Sequence, residues 1–448
     1  MDRIKVVSKT ESLCPVCMRK IDAQIFTRGN KAYMDKYCPE HGSFRVITWK
    51  GRISIQNWVR DKERAYIKKP STPVDKGCPF DCGLCSGHRQ HTCTALIEVT
   101  ERCNLHCAYC FANSNAAKGE DPSLERIKLQ YESVMKASGK CNIQLSGGEP
   151  TVRDDLPEII RMGTALGFAF IQVNTNGIRL GEDENYVKEL KAAGLSSIYL
   201  QFDGTSDLIY KKLRGKELLK VKKAAVENCK KHGIGIVLVP TLVPGVNTGN
   251  IGEIIDFALE HAPAVRGVHF QPVSYFGRVP NIPSDEDRIT LPEVMEEIER
   301  QTGGRIKTQS LKPPGCENAL CSFHGSYLVD DRKKLISVTN RSCCCSNEKA
   351  EEGAVKAKEY VSRNWSYPIE GSMKDKQDPG KISDWDKILY RINKNTFSIS
   401  AMAFQDVWNL DLERLRDCCI HVVSPDGRLI PFCIYNITDS EGRYLYRR

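Results

Sequence analysis

From residue 94 onward, short apolar runs alternate with amphipathic stretches. The apolar runs fall at 94–100, 142–146, 169–174, 197–202, 234–240 and 267–273. Between and after them, helical periodicity appears near 123–137, 153–166, 185–193, 216–232, 249–260 and 292–302. Apolar runs of this length bounded by turn residues read as buried strands, and their alternation with helices predicts parallel βαβ units. Six such units fall short of a closed eight-unit barrel. In either kind of barrel the chemistry belongs at the carboxyl ends of the strands.

The flanks read differently. Residues 1–51 show two knuckle-like turns around a hairpin over 23–37, and a basic stretch near 54–69 reads as helix. Past about 305 the alternation stops. Pro313-Pro314-Gly315 marks a boundary there, and residues 350–390, rich in charge, Gly and Pro, read as an exposed excursion. The chain therefore divides into 1–51, a metal-binding ribbon-like module, 52–93, a linker, 94–305, the αβ alternation, and 306–448, a cysteine-bearing extension.

Composition narrows the class. At 448 residues with 41% hydrophobic content the chain can bury a large core. The start, Met1-Asp2-Arg3-Ile4-Lys5, has no apolar h-region, and no segment reaches the roughly 18 apolar residues that would span a bilayer. A cytoplasmic protein is expected. Lys and Arg, 65 together, exceed the 56 Asp and Glu and leave +9 spread along the chain. That excess suits a polyanionic substrate, phospholipid head groups or simply a basic surface, and no nucleic-acid motif accompanies it. Twenty cysteines in a long chain without an export signal point to metal ligation rather than disulfides.

The cysteines fall into groups. Cys14 and Cys17 in Cys-Pro-Val-Cys, with Cys38 and His41 in Cys-Pro-Glu-His-Gly, offer the four ligands that zinc or a single iron favours; Cys93 is the alternative fourth ligand. Cys78, Cys82 and Cys85 form one C-x3-C-x2-C triplet, which Cys93 would complete as an auxiliary iron–sulfur site. In the tail, Cys316, Cys321, Cys419 and Cys433 can hold a third cluster, whereas the consecutive Cys343–Cys345 and Cys418–Cys419 cannot all serve one geometry. Cys141 and Cys229 read as small buried hydrophobes.

Cys103, Cys107 and Cys110 repeat C-x3-C-x2-C directly after the first predicted strand, in Arg-Cys-Asn-Leu-His-Cys-Ala-Tyr-Cys-Phe. Three thiolates can hold three irons of a [4Fe–4S] cluster and leave the fourth open for a small molecule, whereas structural clusters fill all four positions. This is the fingerprint of the radical S-adenosylmethionine (SAM) superfamily, which the chain resembles from about 93 to 305. The resemblance implies a partial (β/α)6 barrel. It also implies that Leu145-Ser146-Gly147-Gly148-Glu149-Pro150, ending the second strand, binds the methionine end of SAM, with Gly147 and Gly148 admitting the ligand and Glu149 accepting from its ammonium group. Asn174 and Asn176 at the end of strand three, and Gln201 and Asp203 at the end of strand four, resemble the family's ribose- and methionine-contacting positions. Arg214 resembles an element that pairs with the SAM carboxylate, and Tyr109 the aromatic that lies over the adenine. The chemistry implied is reductive cleavage of SAM and hydrogen abstraction from an unactivated carbon by a 5′-deoxyadenosyl radical, fed by a low-potential ferredoxin- or flavodoxin-like donor.

Taken along the whole chain, the Cys-Pro-x-Cys and Cys-Pro-Glu-His-Gly module, the Cys-Pro-x-x-Cys-Gly-x-Cys triplet, and the Cys-Cys-Ile-His and Pro-Phe-Cys-x-Tyr-Asn tail resemble the tetraether lipid synthase group. Some relatives in that group are described as pterin-methylating enzymes. The first implies carbon–carbon coupling of archaeal-type lipid chains, an auxiliary cluster that holds the alkyl radical, and transient contact with a membrane surface. Runs 236–246 and 397–407 would then line an apolar channel. The second implies methylation of a pterin or another small molecule. An iron–sulfur redox or binding protein without SAM turnover is a third reading.

Overall fold

The computed structural model describes residues 4–60, 62–117, 119–330, 332–339, 349–368 and 392–447. Cys343–Cys345 and most of the 350–390 excursion lie outside the described residues.

The amino-terminal module is a four-stranded antiparallel sheet of β1 (Lys5–Leu13), β2 (Lys20–Arg28), β3 (Lys31–Cys38) and β4 (Gly42–Lys50), in that order. The hairpin expected over 23–37 is its β2–β3 pair, with Phe26 opposite Tyr33. Alternation along β3 turns Ala32, Met34, Lys36 and Cys38 to the buried side. One of those four is a lysine. Its Nζ donates to Ser12 Oγ at 3.1 Å, Leu13 O at 2.8 Å and Val407 O at 2.6 Å, tying the module to the carboxyl-terminal region. Burial pushes the Lys36 pKa down to about 7.

The expected basic helix over 54–69 shrinks to one turn, α1 (Ile55–Trp58), capped by Ser54. Beyond it the segment is charged without an apolar stripe, so nothing rewards helical winding. It is held instead by single anchors: Lys62 Nζ donates to Pro314 O at 2.8 Å, and Glu63 bridges to Lys349.

The alternating strands form where the pattern places them, to within a residue or two: β5 (Thr94–Thr100), β6 (Asn142–Gly147), β7 (Ile171–Thr175), β8 (Ser197–Gln201), β9 (Gly235–Val239), a two-residue β10 (Thr241–Leu242) and β11 (Val265–Pro272). Neighbours among β5–β9 and β11 pair in parallel. The crossover helices carry their apolar residues at helical spacing. In α2 (Leu124–Ser138), Ile127, Tyr131 and Val134 are buried, Ser123 caps the start and Gly139 at φ 70° ends it. The other helices of the barrel are α3 (Leu156–Ala165), α4 (Ile178–Glu182), α5 (Glu184–Ala192), α6 (Asp207–Arg214), α7 (Leu219–Lys231), α8 (Ile251–Glu260) and α9 (Leu291–Gln301). The short α4 and α6 were not legible in the periodicity. The result is the expected partial (β/α)6 barrel, an α/β fold with the small module at its amino end.

The region after 305 extends the same sheet on both sides. Its strands are β12 (Ser322–Val329), β13 (Leu335–Ser337), β14 (Thr396–Met402), β15 (Ile420–Val423) and β16 (Leu429–Pro431). The order runs β13-β12-β14-β11-β9-β8-β7-β6-β5-β15-β16. Both β14 beside β11 and β15 beside β5 run parallel to their barrel neighbours. Helix α10 (Ala350–Trp365) packs against β9, β11 and β14.

The expected apolar channel is built only in part: Ala401, Met402 and Phe404 of the 397–407 run line the central cavity. Ile236, Leu238, Phe397 and Ile399 lie in the hydrophobic core. Ser398 and Ser400, which alternate with Phe397 and Ile399, reach the lumen, whereas Val237 and Val239 join a separate apolar cluster with Tyr199. Period-two alternation turns one face of each strand to the helices and the other to the lumen, which therefore receives both polar and apolar side chains.

Candidate active site

The cluster loop leaves β5 at its carboxyl end. Cys103, Cys107 and Cys110 come together in one small cluster with Leu105, Tyr210 and Leu218. Burial, and then the charge of Glu149, raises the Cys103 thiol to about 12. A buried thiol so unfavourable to ionise without a cation suits a positively charged iron cluster, and the three-sulfur donor set fits one. The loop is clamped by a residue no motif pointed to. Arg278 Nε donates to Cys107 O at 2.8 Å and its Nη2 to Ser114 O at 3.0 Å. The Arg278 and Cys110 backbones exchange two hydrogen bonds of 2.9 Å. Gly277 beside it, at φ 69°, has no room for a side chain against the Cys110 and Phe111 carbonyls.

The paired glycines have a structural task of their own. A Cβ on Gly147 would collide with the Thr100 carbonyl oxygen, and one on Gly148 with that of Arg102. Gly148 N and Glu149 N donate to those same two oxygens, each at 2.8 Å. Close approach of the cluster loop's own backbone thus already demands glycine. Glu149 is buried, and its carboxylate accepts from Thr151 N at 3.1 Å, Thr175 Oγ1 at 2.6 Å and Asn176 N at 2.6 Å. It clasps the end of β6 to the end of β7. Asn176 Nδ2 continues the chain to Asn104 Oδ1 in the cluster loop at 2.7 Å.

Asp203 and Arg214 form a buried bidentate pair at 2.7 and 2.6 Å, with Thr241 N donating to the same carboxylate at 3.1 Å. The Arg214 guanidinium also lies within range of Cys107. Both side chains are thus engaged with each other beside the cluster loop. Asn174 Nδ2 reaches Ser146 Oγ at 3.4 Å and lines the central cavity, as does Tyr109, whose ring meets Tyr275 edge-on at 6.2 Å. Gln201 accepts from Lys222 at 3.5 Å.

Lys222 is the charged residue that motif reading missed. It is fully buried on α7, donates to Asn176 O, and has its pKa lowered to about 8 by burial. A signal existed: Lys222, Ala225, Val226 and Cys229 share one face, so a lysine sits in an apolar stripe.

The structure regroups the remaining cysteines. Cys14, Cys17, Cys38 and His41 present ligand atoms all within 4.8 Å of one another. The recorded edges are 3.7 Å for Cys14–His41, 3.9 Å for Cys17–Cys38 and 3.5 Å for Cys38–His41. A tetrahedron with bonds of about 2.0–2.3 Å has edges near these values, so the site fits zinc or a single iron. His41, not Cys93, stands at its fourth corner.

Cys93 joins Cys316 and Cys419 in a second group of buried ligand atoms within 4.8 Å. It is therefore not the fourth member of the Cys78–Cys82–Cys85 set. The cause is register: Cys93 N donates to Cys419 O at 2.8 Å, where β5 and β15 begin side by side. Cys78, Cys82 and Cys85 line a separate small recess with His88 and Arg416. The neighbouring Cys82 thiol and then Arg416 lower the Cys78 pKa. Nor do the four tail cysteines meet in one place. Cys321 and Cys433 lie in range of Cys418, near Arg414, which donates to Cys321 Sγ at 3.5 Å. The adjacent Cys418 and Cys419 serve different groups.

A cavity of about 1120 Å³ joins the two ends of the barrel. It is lined by Tyr109, Cys110 and Phe111 at the carboxyl ends and by Cys93, Cys316 and Cys419 at the amino ends. Between them the wall carries Gln144, Gln172, Asn174, Tyr199, His269 and Gln271. None of these except Asn174 was anticipated, because inward-facing polar residues in a barrel strand look like any solvent-facing alternation.

The family models agree with this layout. Residues 97–258 match the radical SAM superfamily, and 6–50 match the HMPTM N-terminal zinc ribbon domain. Among known proteins, the chain is 39% identical to the 7,8-dihydro-6-hydroxymethylpterin dimethyltransferase of Methanocaldococcus jannaschii, over 96% of this chain and 93% of that one. It is 33% identical to a probable GTP 3′,8-cyclase of Archaeoglobus fulgidus over 36% of this chain and 53% of that protein. Among solved structures, Streptococcus suis SuiB aligns with 15% identity and a TM-score of 0.38, covering 48% of this chain and 47% of SuiB. The chain belongs to the radical SAM superfamily and, within it, to the family of the methanocaldococcal pterin dimethyltransferase.

Proposed function

We propose that the protein is a radical SAM methylase whose substrate is a pterin or a closely similar planar nitrogen heterocycle. The observation that carries this reading is the lumen reached from the cluster loop, whose middle is lined by amides, a phenol and an imidazole. Such a wall suits a small polar ring. A methyl-terminated isoprenoid chain could use none of the hydrogen-bonding capacity that those groups offer. The printed activity of the M. jannaschii relative supports the same choice. For these reasons the methylase displaces lipid-chain coupling as the preferred reading. The cavity also exceeds the roughly 300–1,000 Å³ of a single ligand site, which suits SAM and a second molecule together.

The [4Fe–4S] cluster and SAM supply, when bound, a radical able to abstract hydrogen from an unactivated carbon. The chain's own part is to hold and shield them. Cys103, Cys107 and Cys110 are the cluster ligands, Arg278 and Asn176 brace their loop, and Gly147 and Gly148 bring the β6 end against it. Phe111, Phe276, Phe404 and Phe432 line that end of the cavity and keep water from the reacting carbon. The cysteines at the amino ends of the strands are the candidate ligands of an auxiliary cluster. A low-potential donor of ferredoxin or flavodoxin type supplies the electron.

The test uses the anaerobically reconstituted, reduced protein with methyl-labelled SAM and either 7,8-dihydro-6-hydroxymethylpterin or an archaeal diether phospholipid. Labelled methyl groups on the pterin are expected by mass spectrometry. Chain-coupled lipid with an unmodified pterin would overturn the assignment.

A further inference from the structure

Midway along the lumen three rings meet. Tyr199 on β8 stacks on Trp365, the last residue of α10, at 5.8 Å and 30°. His269 on β11 lies 5.6 Å from Tyr199 and 6.1 Å from Trp365. Amides surround this cluster. Gln271 Nε2 donates to the Tyr199 hydroxyl at 3.4 Å, Gln144 Nε2 to Gln172 Oε1 at 3.1 Å, and Gln172 Nε2 to Ser197 Oγ at 3.2 Å. His269 Nδ1 shares a 2.8 Å hydrogen bond with Ser400 Oγ. All six of the ring and glutamine side chains line the cavity.

Two features set this layer apart from ordinary core. It surrounds open volume, yet its polar groups come from the chain's most regular element, where apolar residues would pack at no cost. In addition, the Trp365 indole Nε1 is buried and has no hydrogen-bond partner among the described residues. That N–H has next to no accessible surface, so the indole offers a ligand its ring rather than its donor. The layer also carries no formal charge: burial holds His269 neutral by pushing its pKa down to about 4. Stacking surfaces flanked by amides that both donate and accept match a flat, uncharged ring bearing lactam and amidine edges.

We propose that Tyr199, His269 and Trp365, with Gln144, Gln172 and Gln271, form the substrate subsite, in which a flat heterocycle stacks on the rings and presents its lactam–amidine edge to the glutamines. This assignment rests on the methylase reading and names the residues that give it specificity. Gln172 and Gln271 are the discriminating groups, because a site built to hydrogen-bond an edge rejects a ring that lacks it.

Binding is read by pterin fluorescence in the oxidised, cluster-loaded protein without reductant. The probes are 7,8-dihydro-6-hydroxymethylpterin and the corresponding lumazine, in which a carbonyl replaces the exocyclic amino group. Wild type is expected to prefer the pterin by about tenfold or more. Gln172→Leu and Gln271→Leu should each reduce that preference to less than about threefold, and Trp365→Leu should weaken both ligands together by about tenfold. Iron content and melting temperature report folding. If Gln172→Leu does not fold, the isosteric Gln172→Glu is read in its place. Wild-type preference retained in both glutamine variants would overturn the subsite while leaving methylation of a pterin standing. Failure of wild type to bind either ring would overturn the subsite and the methylase reading together.

Discussion

The metal site of the amino-terminal module and the Cys93–Cys316–Cys419 group are built in opposite ways. The first draws its four ligands from positions 14–41, two knuckles on one small sheet. The second gathers three sulfurs from before β5, from the loop ahead of β12 and from the start of β15. Spacing alone reveals the local site, since C-x2-C and a nearby Cys-x2-His place four donors around one point. No spacing reveals the other. Its members meet only because β15 returns, after the other strands of the sheet, to pair with β5. The local site can be a staple for its own module, whereas the dispersed one joins the tail to the barrel and lies at the far end of the lumen.

The largest effect expected on this contrast comes from the third set, Cys103, Cys107 and Cys110, which is local in sequence and, in the proposed function, holds the cluster that cleaves SAM. Cys107→Ala should abolish reductive SAM cleavage, measured as 5′-deoxyadenosine, because two thiolates do not retain an open cluster. Undiminished cleavage would show that the triplet is not the SAM site. Next in size, Cys419→Ser should lower the iron content by about four per chain, one cluster's worth. Unchanged iron would show that this group holds no cluster. Cys14→Ser should instead release one metal ion per chain and lower the melting temperature with iron unchanged at the other sites. If it emptied the iron sites as well, the local and dispersed groups would be one cooperative unit.

The smallest effect concerns the seam between the module and the tail. Lys36→Met leaves the carbonyls of Leu13 and Val407 buried without their donor, for a loss of about 1–3 kcal/mol by denaturant titration. The wild-type lysine also carries a pH signature. Its folded pKa is depressed to about 7 from 10.5, so over that window the unfolded chain keeps a proton the folded chain has released. Its contribution therefore favours folding above 10.5 and is lost as pH falls through 7. Lys36→Met should remove that slope. An unchanged pH dependence would show that the lysine is not buried at the seam.

The barrel strands and crossover helices were legible because apolar runs and helical stripes are local patterns. The glycines at 147 and 148 were legible too, though for a partial reason: the approach they permit includes that of the chain's own backbone at Thr100 and Arg102. Arg278 and Lys222 were not, since each acts on a loop far away in sequence. The apolar channel was legible only in part, because hydrophobicity along a strand does not say which face looks inward.

What the amino-acid order determined by itself was the set of elements and the ligand sets closed within a few dozen residues, because hydrophobic periodicity and metal-ligand spacing act over that range. What only the tertiary structure decided was which distant cysteines meet and which polar side chains of the barrel strands face the lumen. Strand register and the choice of inward face set both, and these emerge only when the whole sheet is assembled.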